Sequence, residues 1–125
     1  MIKEILLYTG SSIIVAWGVA HIAIPTKDII NSFGPISSDN KRILLMEWIM
    51  EGLALSFIGL LVISITAFGG IENSTSIIVL RGSAIMLLTM AVVSLFTGAR
   101  TRIIPMKLCP PIFTAVALIY WFGSI

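Results

Sequence analysis

Four apolar runs, separated by helix-breaking or charged residues, leave this chain few ways to fold. The first runs from Ile5 to Ile24 and is stopped by Pro25; the second runs from Ile43 to Phe68 and is closed by Gly69-Gly70. The third runs from Ile77 to Ala99 and ends at Arg100; the fourth spans Leu108 to Phe122. A helix that crosses a bilayer needs roughly 20 residues, with a tolerance of about 17–25. The first three runs meet that length. The fourth is short and has Pro110-Pro111 at its start, where a missing N–H is tolerated in the first turn of a helix. A run of that length is expected to tilt little or to sit in a thinned bilayer.

Composition supports lipid as the solvent. The chain is 58% hydrophobic and 11% charged, with a mean hydropathy of +1.07, whereas soluble domains are roughly 45–50% apolar and about 25% charged. A soluble chain of 125 residues has too little interior to hide that much apolar surface. The expected fold is therefore all-α: an integral membrane four-helix bundle, a single transmembrane domain over residues 1–125. The first run is expected to be a retained helix rather than a signal peptide, because Lys3 is offset by Glu4 and the apolar run is too long for an h-region. No basic stripe interleaved with aromatics is present, which excludes nucleic acid as a partner. Cys109 is the single cysteine, so neither an intrachain disulfide nor a dithiol redox pair is available, and it reads as a structural residue.

Charge sets the expected orientation. Lys27, Lys41 and Arg42 lie between the first two runs, and Arg100, Arg102 and Lys107 lie between the last two. The other side offers Lys3, plus Arg81 inside the third run, from where it can snorkel outward or pair with Glu72. The positive-inside rule then predicts a multi-pass protein of the cell membrane with both termini outside and the basic loops cytoplasmic. Within the first basic loop, Ile29, Ile30 and Phe33 alternate with Lys27, Asp28 and Asn31, and Gly34-Pro35 follows as a stop. This pattern predicts a short amphipathic interfacial helix between the first two spans. Ser37, Ser38 and Asp39 are N-cap candidates for the second span.

One carboxylate lies inside a span. Glu51 follows Glu47 by one helical turn in the stretch Met46-Glu47-Trp48-Ile49-Met50-Glu51-Gly52-Leu53. A charge in hydrocarbon is costly, and an intramembrane acid marks a functional-site hypothesis. A helix from Asp39 to Ala67 would be about 43 Å long against a hydrocarbon core of about 30 Å, so it overhangs. Counting back from Ala67 places the core boundary near Trp48, with Glu47 at headgroup level and Glu51 roughly 5 Å inside. The same count on the first span places its boundary near Ile24 and His21 roughly 5 Å inside from the same side. The only histidine and the only core carboxylate thus share a depth. Trp17 and His21 share one helix face, as do Glu47 and Glu51, because each pair is four residues apart.

The candidate site is a cluster of His21, Glu47, Glu51 and Arg100, roofed by Trp17 or Trp48. Each member has a plainer alternative. Glu51 pairs with Arg100 or bonds across helices as packing glue; Glu47 is a solvated boundary residue; His21 is an interhelical hydrogen-bonder; Trp17 is core packing. Trp48 and Trp121 suit the aromatic belts at the two interfaces. Small residues mark where helices approach: Gly52, Ser56 and Gly59 line one side of the second span, and close packing at Gly52 would turn Glu51 toward protein or a cavity. No Glu-x-x-His pair, P-loop or nucleophile elbow is present, so no metal site is expected; one histidine per chain cannot supply a bis-His haem within a monomer, though a dimer could, and the cofactor stays open.

The first half of the chain, Gly10…Gly18-Val19-Ala20-His21…Pro25…Phe33-Gly34 followed by Glu51-Gly52-Leu53-Ala54-Leu55…Gly59, resembles the DoxX-like group of small four-helix membrane proteins. Those have a Gly/His-containing first helix running into a proline and an apolar, Gly-containing second helix. The resemblance implies an association with quinone-linked or redox membrane proteins; the Glu47/Glu51 pair lies outside its pattern. Three readings follow. The first is a polar intramembrane site near the cytoplasmic side that binds a lipophilic small molecule, quinone- or lipid-like, through His21 and Glu51. The second is a structural or accessory subunit of a larger membrane complex, or a homo-oligomer. The third, a channel or proton path, ranks last because the outer half has few polar groups. None of the three specifies a catalysed reaction.

Overall fold

The computed structural model describes residues 1–23 and 26–125; Ile24 and Pro25, with the side chains of Thr26 and Lys27, lie outside the described residues. The expected proline stop and the Ile24 boundary therefore fall outside the description, as does the Lys27 charge. Among the described residues every regular element is helical: α1 (Ile2–Ala23), α2 (Thr26–Asn31), α3 (Ser38–Ser64), α4 (Ser74–Phe96) and α5 (Ile104–Gly123). A π-helical turn, Ile65–Gly69, extends α3, and a 3-10 turn, Gly98–Arg100, follows α4. The four long helices are each long and apolar enough to cross a membrane.

Local chemistry sets the boundaries. Ser37 caps α3, its hydroxyl accepting from the Asn40 N–H at 3.2 Å, which offsets one of the unpaired donors at a helix start. Gly70, at φ 73°, reverses the chain after the π turn, in a region that residues with a Cβ rarely adopt. Asn73 caps α4 by accepting from the Ser76 N–H at 2.9 Å, while its amide donates to the carbonyls of Gly69 and Gly70. The fourth span differs from expectation. Pro105 occupies the first turn of α5, so this helix begins a turn earlier than Leu108 and reaches 20 residues, about 30 Å and enough for a full crossing. Pro110 and Pro111 consequently lie inside α5 rather than at its start, and the carbonyls one turn before them lose their intrahelical donors.

The inward faces follow helical spacing. On α1 they are Leu7, Gly10, Ser11, Ile14, Gly18 and His21; on α5 they include Phe113, Val116, Ala117 and Tyr120. Leu55, Ile58 and Val62 of α3 and Leu80, Ala84 and Leu87 of α4 complete one apolar core. The outward faces are apolar as well: Phe57 is 64% exposed, Ile78 71% and Phe96 60%. A helix hydrophobic on all sides belongs in a core or a bilayer. In cross-section α1 packs along α3 and α5, and α5 packs along α4, whereas α3 and α4 scarcely touch. A wide seam is left between α3 and α4. Lys3, Glu72, Ser124 and Ile125 border one depression, so both chain ends share one end of the fold. There Arg81 stacks over Trp121 at 5.8 Å and donates to the Ser124 hydroxyl at 3.3 Å. The opposite end carries α2, whose Ile30 is buried while Phe33 just beyond it is exposed.

Candidate functional site

Glycines bring the site together. A Cβ on Gly18 would lie 2.6 Å from the Gly52 carbonyl oxygen, and a Cβ on Gly52 would lie 2.6 Å from that of Gly18. The backbones of α1 and α3 therefore meet at this crossing, the close approach that small residues permit in membrane helices. Gly52 also lies against the His21 Cβ. One residue before it on α3, Glu51 faces the imidazole: His21 Nε2 is 3.8 Å from Glu51 Oε1.

The imidazole is held on three sides. Its Nδ1 lies 2.8 Å from the Trp17 carbonyl oxygen. A carbonyl only accepts, so Nδ1 carries the proton, and Nε2 of the neutral ring presents a lone pair. Trp48 stacks on the ring with centroids 5.3 Å apart and planes at 29°, and Trp17 meets it edge-on at 5.5 Å. The His21 side chain is 5% exposed, whereas Glu51 is 33% exposed and opens outward.

A third group joins them from α5. Cys109 Sγ lies 3.9 Å from His21 Nε2, and its thiol donates to the Pro105 carbonyl at 3.6 Å. The sulfur is buried. The buried Trp17 indole N–H reaches toward this sulfur but has no hydrogen-bond partner among the described residues. Imidazole nitrogen, carboxylate oxygen and sulfur all lie within 4.8 Å of one another.

Hollows surround the cluster. One, about 340 Å³, opens in the α3–α4 seam between Glu51 and Cys109 on one side and Val93, Ser94 and Thr97 on the other. Another, about 470 Å³, lies across Glu51 and is walled by Glu47, Trp48, Ala54 and Phe33; Glu51, Met90 and Met106 border both. A third, about 240 Å³ and almost wholly apolar, lies behind His21 between Trp17, Trp48, Ile29 and Leu108.

Of the residues expected at the site, His21, Glu51, Trp17 and Trp48 come together. Glu47 stays on the rim, exposed and without an ion pair among the described residues. Arg100 is not part of the cluster. The helix ends at Phe96, and the 3-10 turn carries Arg100 back over the Phe96 ring at 5.2 Å, so the expected Arg100–Glu51 pair does not form. Trp48 leans on His21 instead of serving only as an interfacial anchor. The sequence reading missed Cys109. Its position beside the second basic loop placed it at the depth of His21 and Glu51, and that was the available signal. No protein-family model, curated protein or solved structure matches the chain.

Proposed function

We propose that this is a multi-pass protein of the cell membrane that holds the polar head of a lipophilic small molecule, quinone- or lipid-like, at His21 and Glu51. The observation that carries the reading is the half-open Glu51 carboxylate beside a buried, clamped His21, at the junction of apolar hollows in the α3–α4 seam. With Nδ1 committed to the Trp17 carbonyl, Nε2 and the carboxylate both accept, so the site suits a head that offers O–H or N–H donors, such as a quinol hydroxyl. The tail would lie along Met90, Val93 and Met106. Lipid tails are as apolar as these side chains, so the polar contacts carry the selectivity. The redox association implied by the resemblance of the first half points the same way. In this orientation the termini are outside, and Lys41, Arg42, Arg100, Arg102 and Lys107 face the cytoplasm near the site.

The wide seam also suits a partner helix, which keeps the accessory-subunit or homo-oligomer reading as the alternative. Native mass spectrometry of the protein released directly from membranes separates the two. An amphiphile bound to the wild type and lost from Glu51→Gln supports the small-molecule reading. An oligomer free of any bound amphiphile sinks it in favour of the alternative.

A further inference from the structure

We infer that His21, Glu51 and Cys109 form a three-ligand site for a divalent, thiophilic transition-metal ion of the zinc type, with an open fourth position facing the α3–α4 seam. Three lines support it.

The first is the direction of the lone pairs. Nε2 of His21 is free because Nδ1 donates to the Trp17 carbonyl. The thiol hydrogen of Cys109 is directed at the Pro105 carbonyl, and Glu51 offers its carboxylate. Three acceptors from three different helices thus point into one space. A positive centre among them would satisfy all three at once. A backbone-bonded Nδ1–H is also the usual outer-shell arrangement that orients a metal-binding imidazole.

The second is distance. With Zn–N and Zn–O of about 2.0–2.2 Å and Zn–S of about 2.3 Å, tetrahedral coordination places donor atoms about 3.3–3.6 Å apart. Here Nε2 stands 3.8 Å from Oε1 and 3.9 Å from Sγ, and no pair exceeds 4.8 Å. Small side-chain rotations close the remaining gap.

The third is charge. A divalent ion bound by one thiolate, one carboxylate and one neutral imidazole makes a site with no net charge. Among the described residues no Lys or Arg pairs with Glu51, and an uncompensated charge at this depth is costly. On binding, the Cys109 S–H bond breaks and its proton leaves through the seam to water, while the sulfur forms the metal bond. The unpartnered Trp17 N–H then has a thiolate to donate to. The ligand set, one sulfur, one nitrogen and one oxygen, favours zinc-type ions over calcium or magnesium, which take oxygen shells.

This goes beyond the amphiphile reading and separates from it at Cys109, which metal binding needs and amphiphile binding does not. The test is titration of the full chain, in lipid nanodiscs and stripped with chelator, with Co(II) as the spectroscopic probe. The expected result is one Co(II) per chain, with a thiolate-to-cobalt charge-transfer band and intense tetrahedral d–d bands, both displaced by Zn(II). Cys109→Ser removes the charge-transfer band, and His21→Gln and Glu51→Gln each weaken binding at least tenfold. Glu72→Gln, at the opposite end of the fold, leaves binding unchanged and controls for general damage. Helical circular dichroism confirms that each variant is folded. A wild type without the charge-transfer band overturns the proposal, as does unchanged affinity in folded His21→Gln and Glu51→Gln. Loss of metal binding with a retained amphiphile in Cys109→Ser supports both readings, whereas a wild type that holds an amphiphile but takes up no Co(II) leaves the amphiphile reading standing alone.

Discussion

Gly18 and Gly52 sit back to back: a Cβ added to either would lie 2.6 Å from the other's carbonyl oxygen. This crossing sets the distance between α1 and α3 and holds His21 against Glu51. Substituting either glycine with alanine forces the backbones apart. Overpacking of this kind costs about 1–3 kcal/mol. Gly18→Ala and Gly52→Ala are expected to lower the midpoint of unfolding in mixed micelles. Gly82, with nothing within 4 Å of its position, is the control: Gly82→Ala should be neutral or slightly stabilising. Equal effects at Gly82 and Gly52 would count against the crossing.

His21 and Glu51 should be energetically coupled. Residues in direct contact show interaction energies of about 0.5–3 kcal/mol, and interhelical polar pairs in membranes average about 0.6 kcal/mol. A double-mutant cycle with His21→Gln and Glu51→Gln, read by steric-trap unfolding in bicelles, should return a favourable coupling near 1 kcal/mol in that range. Strict additivity would place the two side chains out of contact.

A second polar pair lies buried toward the other end, where the Ser11 and Tyr120 hydroxyls are 3.0 Å apart. The two deletions should differ. Tyr120→Phe leaves Ser11, which can turn back to a carbonyl on its own helix, so the loss should be about 0.6 kcal/mol. Ser11→Ala strands the tyrosine hydroxyl in the core, a penalty of about 1–3 kcal/mol. Equilibrium unfolding of the two variants should rank Ser11→Ala as the more damaging; the reverse order would refute the argument.

The two chain ends share one end of the fold, beside Glu72. Reporter fusions at the N- and C-termini should therefore give the same sidedness, and the positive-inside rule makes that side the outer one. A cysteine introduced at Arg102 in a Cys109→Ser background should react with an impermeant maleimide only after the membrane is opened. Opposite sidedness of the two termini would break the arrangement.

Much of this was legible along the chain. Ser37 as a cap, Gly52, Ser56 and Gly59 as a contact stripe, and the short helix before Gly34-Pro35 all follow from local chemistry. The common depth of His21 and Glu51 was readable because rise per residue turns counting into distance. The start of α5 was harder to read: two prolines in a row look like a boundary, and Pro105 already occupied the place where a proline is harmless.

What the sequence determined by itself is position along the helix axes: four apolar helices, their polar punctuation, and the shared level of an acid and a histidine. What only the tertiary structure decided is position around each helix axis. It turned Cys109 and Trp48 toward His21, sent Arg100 to Phe96, and left α3 and α4 apart. The physical reason is that these helices are apolar on every side. A helix in water advertises its buried face by the contrast between apolar and polar residues. In lipid that contrast vanishes, and the inward face is chosen by close packing at residues such as Gly18 and Gly52.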